Sequence, residues 1–286
     1  MGGMILVAGA TGNTGRALVR ALAKKGVGVR AAARGRARLL GLGASEVVEV
    51  DYSNPPSLAR AFRGVEKIYL AVPLIVDLVA LTEQVVNAAV KAGVRHMVKL
   101  SGLGADRPEE LRIGRWHRDA ERLVEDSGLA WTHLRPNSFM QNFTNNHLGS
   151  MRTQGLFHDP VGGGRVSYID VEDIAATAAV VLTEPGHERR TYALTGPEAV
   201  SSHQVAALLG RVVGREIRCV EVSVDAARDA MFGFGVSLPV VNAVSELYLL
   251  MRTGDLAAVT STVSEVTGRT ARSFAQFAAD QRLLFR

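Results

Sequence analysis

The chain has 286 residues, a mass of 30.5 kDa and 47% hydrophobic residues, enough for two domains or one large α/β unit with an appended lobe; disorder and small disulfide scaffolds are excluded. The net charge is +5, from 33 Lys+Arg against 28 Asp+Glu, but the arginines are scattered apart from one short group at Arg30, Arg34, Arg36 and Arg38. No nucleic-acid partner is therefore expected. Cys219 is the only cysteine, and the seven histidines have no ligand-like spacing, so neither a disulfide nor a metal site is expected. No apolar run reaches the roughly 18 residues that span a bilayer, and the N-terminus lacks a basic n-region. The reading is a cytoplasmic protein without a membrane partner, either a monomer or a homodimer.

The first half alternates short apolar runs with amphipathic segments, the pattern of βαβ repetition and a parallel sheet. Strands are expected at 5–8, 27–32, 47–50, 68–72, 94–100 and 129–134. The helices between them begin near Thr14, Ser57, Asp77 and Arg115, with Ser57 and Asp77 in capping positions. Past Arg135-Pro136 the rhythm changes. A polar-rich helix is expected over 139–154, a strand over 166–169 and an alanine-rich helix over 170–183. A further strand is expected over 192–195 and a capping-box helix over 201–213; 217–222 alternates like a half-buried strand around Cys219. The segments 223–235, 239–253 and 271–284 have helical periodicity.

The most informative segment is Gly9-Ala10-Thr11-Gly12-Asn13-Thr14-Gly15. Three glycines spaced by three between a strand and a helix suit a dinucleotide-binding turn. Gly9 permits the sharp turn, Gly12 the close approach of backbone to pyrophosphate, and Gly15 tight packing of helix on sheet. The pyrophosphate would meet free N–H groups at the helix N-terminus. At the tip of the second strand, Arg34 and Arg36 stand where a 2′-phosphate would lie, and no Asp or Glu occurs between the turn and Glu46. This points to NADP(H) in preference to NAD(H). Asp51, at the end of the third strand, can reach the adenine amino group.

The turn resembles that of the NmrA-like NAD(P)H-binding family of atypical short-chain dehydrogenases/reductases. Asp51-Tyr52, Lys99-Leu100-Ser101-Gly102, His117 through Leu129, and Leu134-Arg135-Pro136-Asn137 through Asn142 fit the same family. The segments Tyr168 through Ala175 and Leu194 through Glu198 extend the likeness past the middle of the chain. The resemblance implies a Rossmann-like, doubly wound α/β fold with a parallel sheet and a smaller, mainly helical C-terminal substrate lobe that closes over the nicotinamide. The Rossmann domain is expected over 1–138, with 166–196 returning to it, and the substrate lobe over 139–165 and 197–286. The expected cofactor site takes in Gly9, Thr11, Gly12, Asn13, Thr14, Gly15, Arg34, Arg36, Asp51, Tyr52, Ala71, Val72, Pro73, Lys99, Pro136 and Asn137.

Typical short-chain dehydrogenases use a Tyr-x-x-x-Lys pair for proton transfer. Four residues after Tyr52, Tyr69, Tyr168, Tyr192 and Tyr248 come Pro56, Pro73, Glu172, Gly196 and Arg252, so the pair is absent; Gly114 and Arg118 hold its expected places. Conjugated acceptors are electron-poor and need less help from a proton donor than an isolated ketone. The expected activity is therefore NADP(H)-dependent reduction of a quinone, imine, azo compound or polyketide-type carbonyl. The alternative is a non-catalytic redox sensor that controls a partner protein. His117, Ser101 and Lys99 are the acid/base candidates. Ser138, Phe139, Gln141 and Asn142, after the sixth strand at the sheet's carboxyl edge, are the substrate-pocket candidates. Phe143, Met231, Phe232, Phe234 and Tyr248 add large apolar side chains on the substrate side.

Overall fold

The computed structural model describes residues 3–35, 39–107, 109 and 111–286. The chain opens with β1 (Met4–Ala8), α1 (Asn13–Lys24), β2 (Val29–Ala33), β3 (Glu46–Glu49), α2 (Pro55–Ala61), β4 (Val65–Leu70) and α3 (Leu78–Lys91). It continues with β5 (His96–Leu100), α4 (Arg112–Glu125), β6 (Ala130–Pro136), α5 (Asn142–Asn146), α6 (Leu148–Gln154), β7 (Leu156–Asp159), β8 (Arg165–Val166), α7 (Val171–Thr183) and β9 (Arg190–Leu194). Last come β10 (Val200–Ser201), α8 (Ser202–Val213), β11 (Arg218–Glu221), α9 (Val224–Gly233), α10 (Leu238–Thr253), α11 (Thr262–Thr267), α12 (Phe274–Asp280) and α13 (Arg282–Phe285). Among the described residues no helix is long and apolar enough to cross a membrane.

Two compact units emerge. The first takes in Met1–Glu110, Gly114–Pro136 and Ile174–Ala193, the second Leu111–Ile113, Asn137–Asp173 and Leu194–Arg286. The first is built on a seven-stranded sheet in the order β3-β2-β1-β4-β5-β6-β9, with β3 through β6 paired parallel. This is the doubly wound Rossmann-like arrangement expected from the βα rhythm. The strand order reverses between β1 and β4, and the crevice beyond their carboxyl ends is where ligands of such sheets bind. Leu6, Ala8, Ile68, Leu70 and Met97 turn one face of the sheet onto Phe62, Val85, Val86, Ala89 and Val124 from the helices. These strands are apolar runs because helices cover them.

The cap of α2 differs from expectation. Asn54, not Ser57, is the N-cap, accepting from Ser57 N, because Pro55 and Pro56 fill the first two helical positions, where a missing N–H costs nothing. The Ser57 hydroxyl accepts instead from Asp51 N at 3.1 Å. Asp77 sits at the N-cap of α3 but its side chain makes no cap bond. Arg30 is taken out of the basic group, since it pairs with Glu46 on β3 and donates to the Ala61 and Arg63 carbonyls.

The second unit departs further from the expected pattern. The helix expected over 139–154 is a turn followed by α5 and α6, which break at His147, where φ is −122°. The strand Leu156–Asp159 then pairs in parallel with β11, setting Phe157 opposite Cys219. Of the strand expected at 166–169 only Val166 joins a ladder, as part of Arg165–Val166, and the span 271–284 is two short helices. Phe143 is the hub of this unit's core: its ring lies edge-on to Phe157, Tyr168 and Phe274 at 5.5, 5.2 and 5.2 Å. Phe143 and Met140 are thus core side chains, whereas Phe232 and Phe234 are 61% and 89% exposed. Phe143→Ala should destabilise the protein by about 3–5 kcal/mol, read as a lower urea midpoint; an unchanged midpoint would contradict the hub assignment.

Candidate functional site

The glycine turn joins β1 to α1. Gly9 has φ of +85°, and a Cβ there would stand 2.7 Å from the Ala71 carbonyl at the end of β4. A Cβ on Gly15 would stand 2.2 Å from the Gly9 carbonyl and 2.8 Å from Ala10 Cα, so only glycine lets α1 start this close to the sheet. Gly12 is exposed and N-caps α1 with no side chain of its own, leaving the first-turn N–H groups open toward the crevice. Gly12 N bonds the Gly9 carbonyl at 2.9 Å, and Arg16 Nε closes the turn by donating to the Thr11 carbonyl at 2.9 Å. No acidic residue lies in the first turn, so the positive end of the helix is unopposed.

A cavity of about 550 Å³ lies against this turn. Gly9, Thr11, Gly12 and Thr14 line it from the turn, Arg34 from the tip of β2, Asp51 and Tyr52 after β3, and Ala71, Val72 and Pro73 after β4. The cavity thus gathers ten of the residues expected to bind the cofactor, contributed by the segments that follow β1, β2, β3 and β4. Asn13, Gly15, Lys99, Pro136 and Asn137 do not line it, and Arg36 lies outside the described residues. Ala33, Val50, Ser53, Ile75, Asp77 and Leu81 line it without having been expected at the cofactor site. Of these, Ser53 had a readable signal, since Asp-x-Ser is an Asx-turn pattern. Ser53 donates from N and Oγ to Asp51 Oδ1, at 3.0 and 2.7 Å. These bonds hold the Asp51 carboxyl below its usual range, with a weaker pull from the Arg34 guanidinium.

The acid/base candidates sit elsewhere, between α4 and the ends of β5 and β6. Lys99 is 2% exposed and Ser101 5%. Glu121 is fully buried, held by Arg135 through Nε at 2.9 Å and Nη2 at 2.6 Å. Arg118, standing where the absent lysine of the Tyr-x-x-x-Lys pair would be, is turned onto Glu125 through both Nη atoms, at 2.6 and 3.0 Å, and reaches Glu121 as well. His133 Nε2 lies 3.2 Å from Glu125 Oε1. Glu121, Glu125 and His133 bring three ligand-type atoms within 4.8 Å of one another. Two guanidinium groups already engage both carboxylates, so the group is held together as an ion-pair network.

Proton affinities follow from this packing. Burial would raise Glu121, but the Arg135 hydrogen bonds and the nearby Ser101 hydroxyl outweigh it and hold the acid at about 2, although no hydrogen bond of ordinary geometry joins Ser101 Oγ to a partner. Burial brings the Lys99 ammonium down to about 8, with Glu121 opposing and Arg135 adding. Burial and then Lys99 push His117 down to about 3. His117 is therefore a neutral imidazole near pH 7, which disfavours it as an imidazolium acid.

In the second unit, Asn137 is committed to structure. Its Nδ2 donates to Ser167 Oγ and the Leu256 carbonyl at 2.8 and 2.9 Å, and its Oδ1 accepts from Ser138 N at 2.8 Å. Gln141 likewise caps α7, donating to Asp170 Oδ1 and accepting from Val171 N. Phe139 forms a bridge with Ile169, and Asn142 opens α5. Asn137 thus spends both Nδ2 hydrogens inside the protein, whereas Gln141 keeps one Nε2 hydrogen beyond its bond to Asp170.

A glycine turn at the switch point of a doubly wound sheet, opening on a cavity with one arginine at its β2 wall, defines a dinucleotide-binding Rossmann-type protein. The profile of the NAD(P)H-binding family matches residues 9–185, and the chain belongs to that family, within the NmrA-like atypical short-chain dehydrogenases/reductases. It is 41% identical over 277 residues to the NAD(P)H azoreductase of Xenophilus azovorans, with 96% of each chain covered. It is also 41% identical over 286 residues to the (4-alkanoyl-5-oxo-2,5-dihydrofuran-3-yl)methyl phosphate reductase of Streptomyces griseus subsp. griseus, with 99% of each covered. The structure of the NADPH-dependent quinone oxidoreductase of Escherichia coli complexed with NADPH superposes with a TM-score of 0.84 at 27% identity, over 97% of this chain and 99% of that one. The protein is an NAD(P)H-binding oxidoreductase.

The ion-pair network makes a pH prediction. The proton affinity of Glu121 is depressed from 4.5 to about 2, so its contribution is present above about 4.5 and is lost as pH falls through about 2. Glu121→Ala should cost about 3–5 kcal/mol at neutral pH, because it strands Arg135. Its urea midpoint should then fall less steeply on acidification than that of wild type; parallel acid profiles would contradict the assignment.

Proposed function

We propose that the protein is an NADP(H)-dependent reductase of a small, flat, conjugated acceptor, working without a Tyr-x-x-x-Lys pair. Arg34 carries the cofactor half of this reading. It borders the cavity at the tip of β2 and pulls electrostatically on both Asp51 and Tyr52. No carboxylate occurs between the turn and Glu46, and Glu46 is engaged with Arg30. A 2′-phosphate finds a cation there, whereas a ribose 2′-hydroxyl finds no acidic partner. The open N–H groups and positive end of α1 suit a pyrophosphate, and Asp51 suits an adenine amino group.

When bound, the reduced cofactor supplies a hydride. Activation of an isolated ketone calls for a strong proton donor, and neither Gly114 nor the engaged Arg118 provides one. An acceptor already electron-poor through conjugation fits such a site better. The names of the relatives, an azoreductase, an oxo-dihydrofuran reductase and a quinone oxidoreductase, have planar conjugated acceptors in common, which supports the same reading.

Mixing the protein with NADPH and panels of quinones, azo compounds and simple ketones, while following absorbance of the reduced cofactor, tests the acceptor class. Quinone or azo compounds should consume NADPH and simple ketones should not; tight NADPH binding with no consumption by any acceptor would overturn the reductase reading. Arg34→Ala should weaken NADPH binding about tenfold or more beyond its effect on NADH. Equal losses for the two cofactors would sink the 2′-phosphate assignment.

A further inference from the structure

Asp51 borders the cavity with two carboxylate oxygens in different states. Oδ1 accepts from Ser53 N at 3.0 Å and from Ser53 Oγ at 2.7 Å, whereas Oδ2 has no hydrogen-bond or ion-pair partner among the described residues. The peptide that carries this side chain is fixed on both sides. Asp51 N donates to Ser57 Oγ at 3.1 Å, and the Asp51 carbonyl accepts from Asn54 N at 3.1 Å. Ser57 N in turn donates to Asn54 Oδ1 at 3.2 Å. Backbone and one oxygen are therefore set before any ligand arrives, and the oxygen left over is the acceptor that the cavity offers. The other charged side chains lining the cavity are Arg34 and Asp77; Arg34 acts on Asp51 through its field, and Asp77 sits at the N-cap of α3. Ala33, Val50, Val72 and Leu81 give the same cavity apolar wall, which suits the faces of a flat base while the carboxylate suits its edge.

We propose that Ser53 sets the base specificity of the cofactor site: by occupying Asp51 Oδ1 it presents Oδ2 as a fixed acceptor that takes the 6-amino group of an adenine dinucleotide and turns away a 6-oxopurine. This deepens the cofactor reading and rests on the place of Asp51 in it. An ionised carboxylate only accepts. The adenine 6-amino group has hydrogens to donate, whereas the 6-oxygen of hypoxanthine or guanine sets lone pairs against those of Oδ2. A site built around a hydrogen bond rejects an analogue that cannot make it. Without the Ser53 hydroxyl the carboxylate keeps the Ser53 N–H bond alone, and its terminal torsion, which is broad by nature, is no longer held in one direction. Ser53 is thus a positioning residue, acting on the base through Asp51. The same bonds decide what an amide at this position does. Ser53 N can only donate, so in Asp51→Asn it holds the amide oxygen and leaves the Nδ2 donor for the base, where it suits a 6-oxygen and opposes a 6-amino group.

Calorimetric titration with NADPH and with reduced nicotinamide hypoxanthine dinucleotide phosphate, which differ only in the purine, measures this preference with no acceptor present. Wild type should bind NADPH about tenfold or more tightly than the hypoxanthine analogue. Ser53→Ala should bring the two affinities together, chiefly by weakening NADPH, and Ser53→Thr, which keeps the hydroxyl, should retain the wild-type ratio. Asp51→Asn should lower the ratio about tenfold or more, to parity or beyond it. Asp51 and Ser53 are both exposed, so these variants leave the core intact.

Equal losses of both dinucleotides in Ser53→Ala, the result of a merely structural role, would overturn the proposal. So would a ratio lost as fully in Ser53→Thr as in Ser53→Ala, or an Asp51→Asn protein that keeps the adenine preference. If wild type binds neither dinucleotide, the cofactor reading falls together with this proposal; tight binding of NADPH with no preference over the hypoxanthine analogue sinks the proposal only.

Discussion

Helix α1 can begin against the end of β1 only because no side chain stands between them. The space that a Cβ on Gly15 would need is filled by the Gly9 carbonyl at 2.2 Å. Everything at the cofactor end of the first unit depends on that contact. It brings the helix N-terminus to the point where the strand order reverses, so the unpaired N–H groups and the dipole meet the cavity rather than solvent. It also brings the turn within reach of the β4 end, where Gly9 and the Ala71 carbonyl leave no room for a side chain. Strand order and turn act as one device: the sheet opens the crevice and the glycines allow backbone to form its wall.

The charged groups under α4 occupy a different part of the same sheet. In an ordinary short-chain dehydrogenase a tyrosine and a lysine one helical turn apart transfer the proton. Here Gly114 leaves no hydroxyl and Arg118 is locked onto two carboxylates. A guanidinium that never loses its proton replaces an ammonium that could. Lys99, on β5, is buried beside this group, and burial brings its ammonium down to about 8. Glu121 joins the two elements: fully buried on α4, it holds Arg135 on β6 with both oxygens and contributes to the field around Lys99.

The βα rhythm of the first half was legible because each strand is a continuous apolar run covered by helices, and the sheet follows from those runs. The turn and Arg34 were legible because their meaning is local, a strand end and a helix start within a few residues. The cap of α2 was misread at Ser57, since the two prolines that shift the cap to Asn54 act through missing N–H groups rather than through a side chain. Strand Leu156–Asp159 was not expected: it is only four residues long, and its partner Arg218–Glu221, inside the strand expected at 217–222, lies some sixty residues on. Asn137 and Gln141 looked like free amides at a ligand edge; their partners Ser167, Leu256, Asp170 and Val171 come from segments that only folding brings near.

By itself the sequence determined the fold class, the dinucleotide turn and the arginine at the β2 tip, because glycine spacing and strand-end residues impose their geometry over a few peptide units. Tertiary structure alone decided what the charges under α4 do. On a sequence, Arg118, Glu121 and Glu125 are an ordinary run of helix-surface pairs. Packed against β5 and β6, Glu121 loses contact with water while Arg118 and Glu125 stay part-exposed, and the three join Arg135 of β6 in one ion-pair group. Burial, which depends on which strands the helix covers and not on its own spacing, turns helix-surface pairs into a link between helix and sheet.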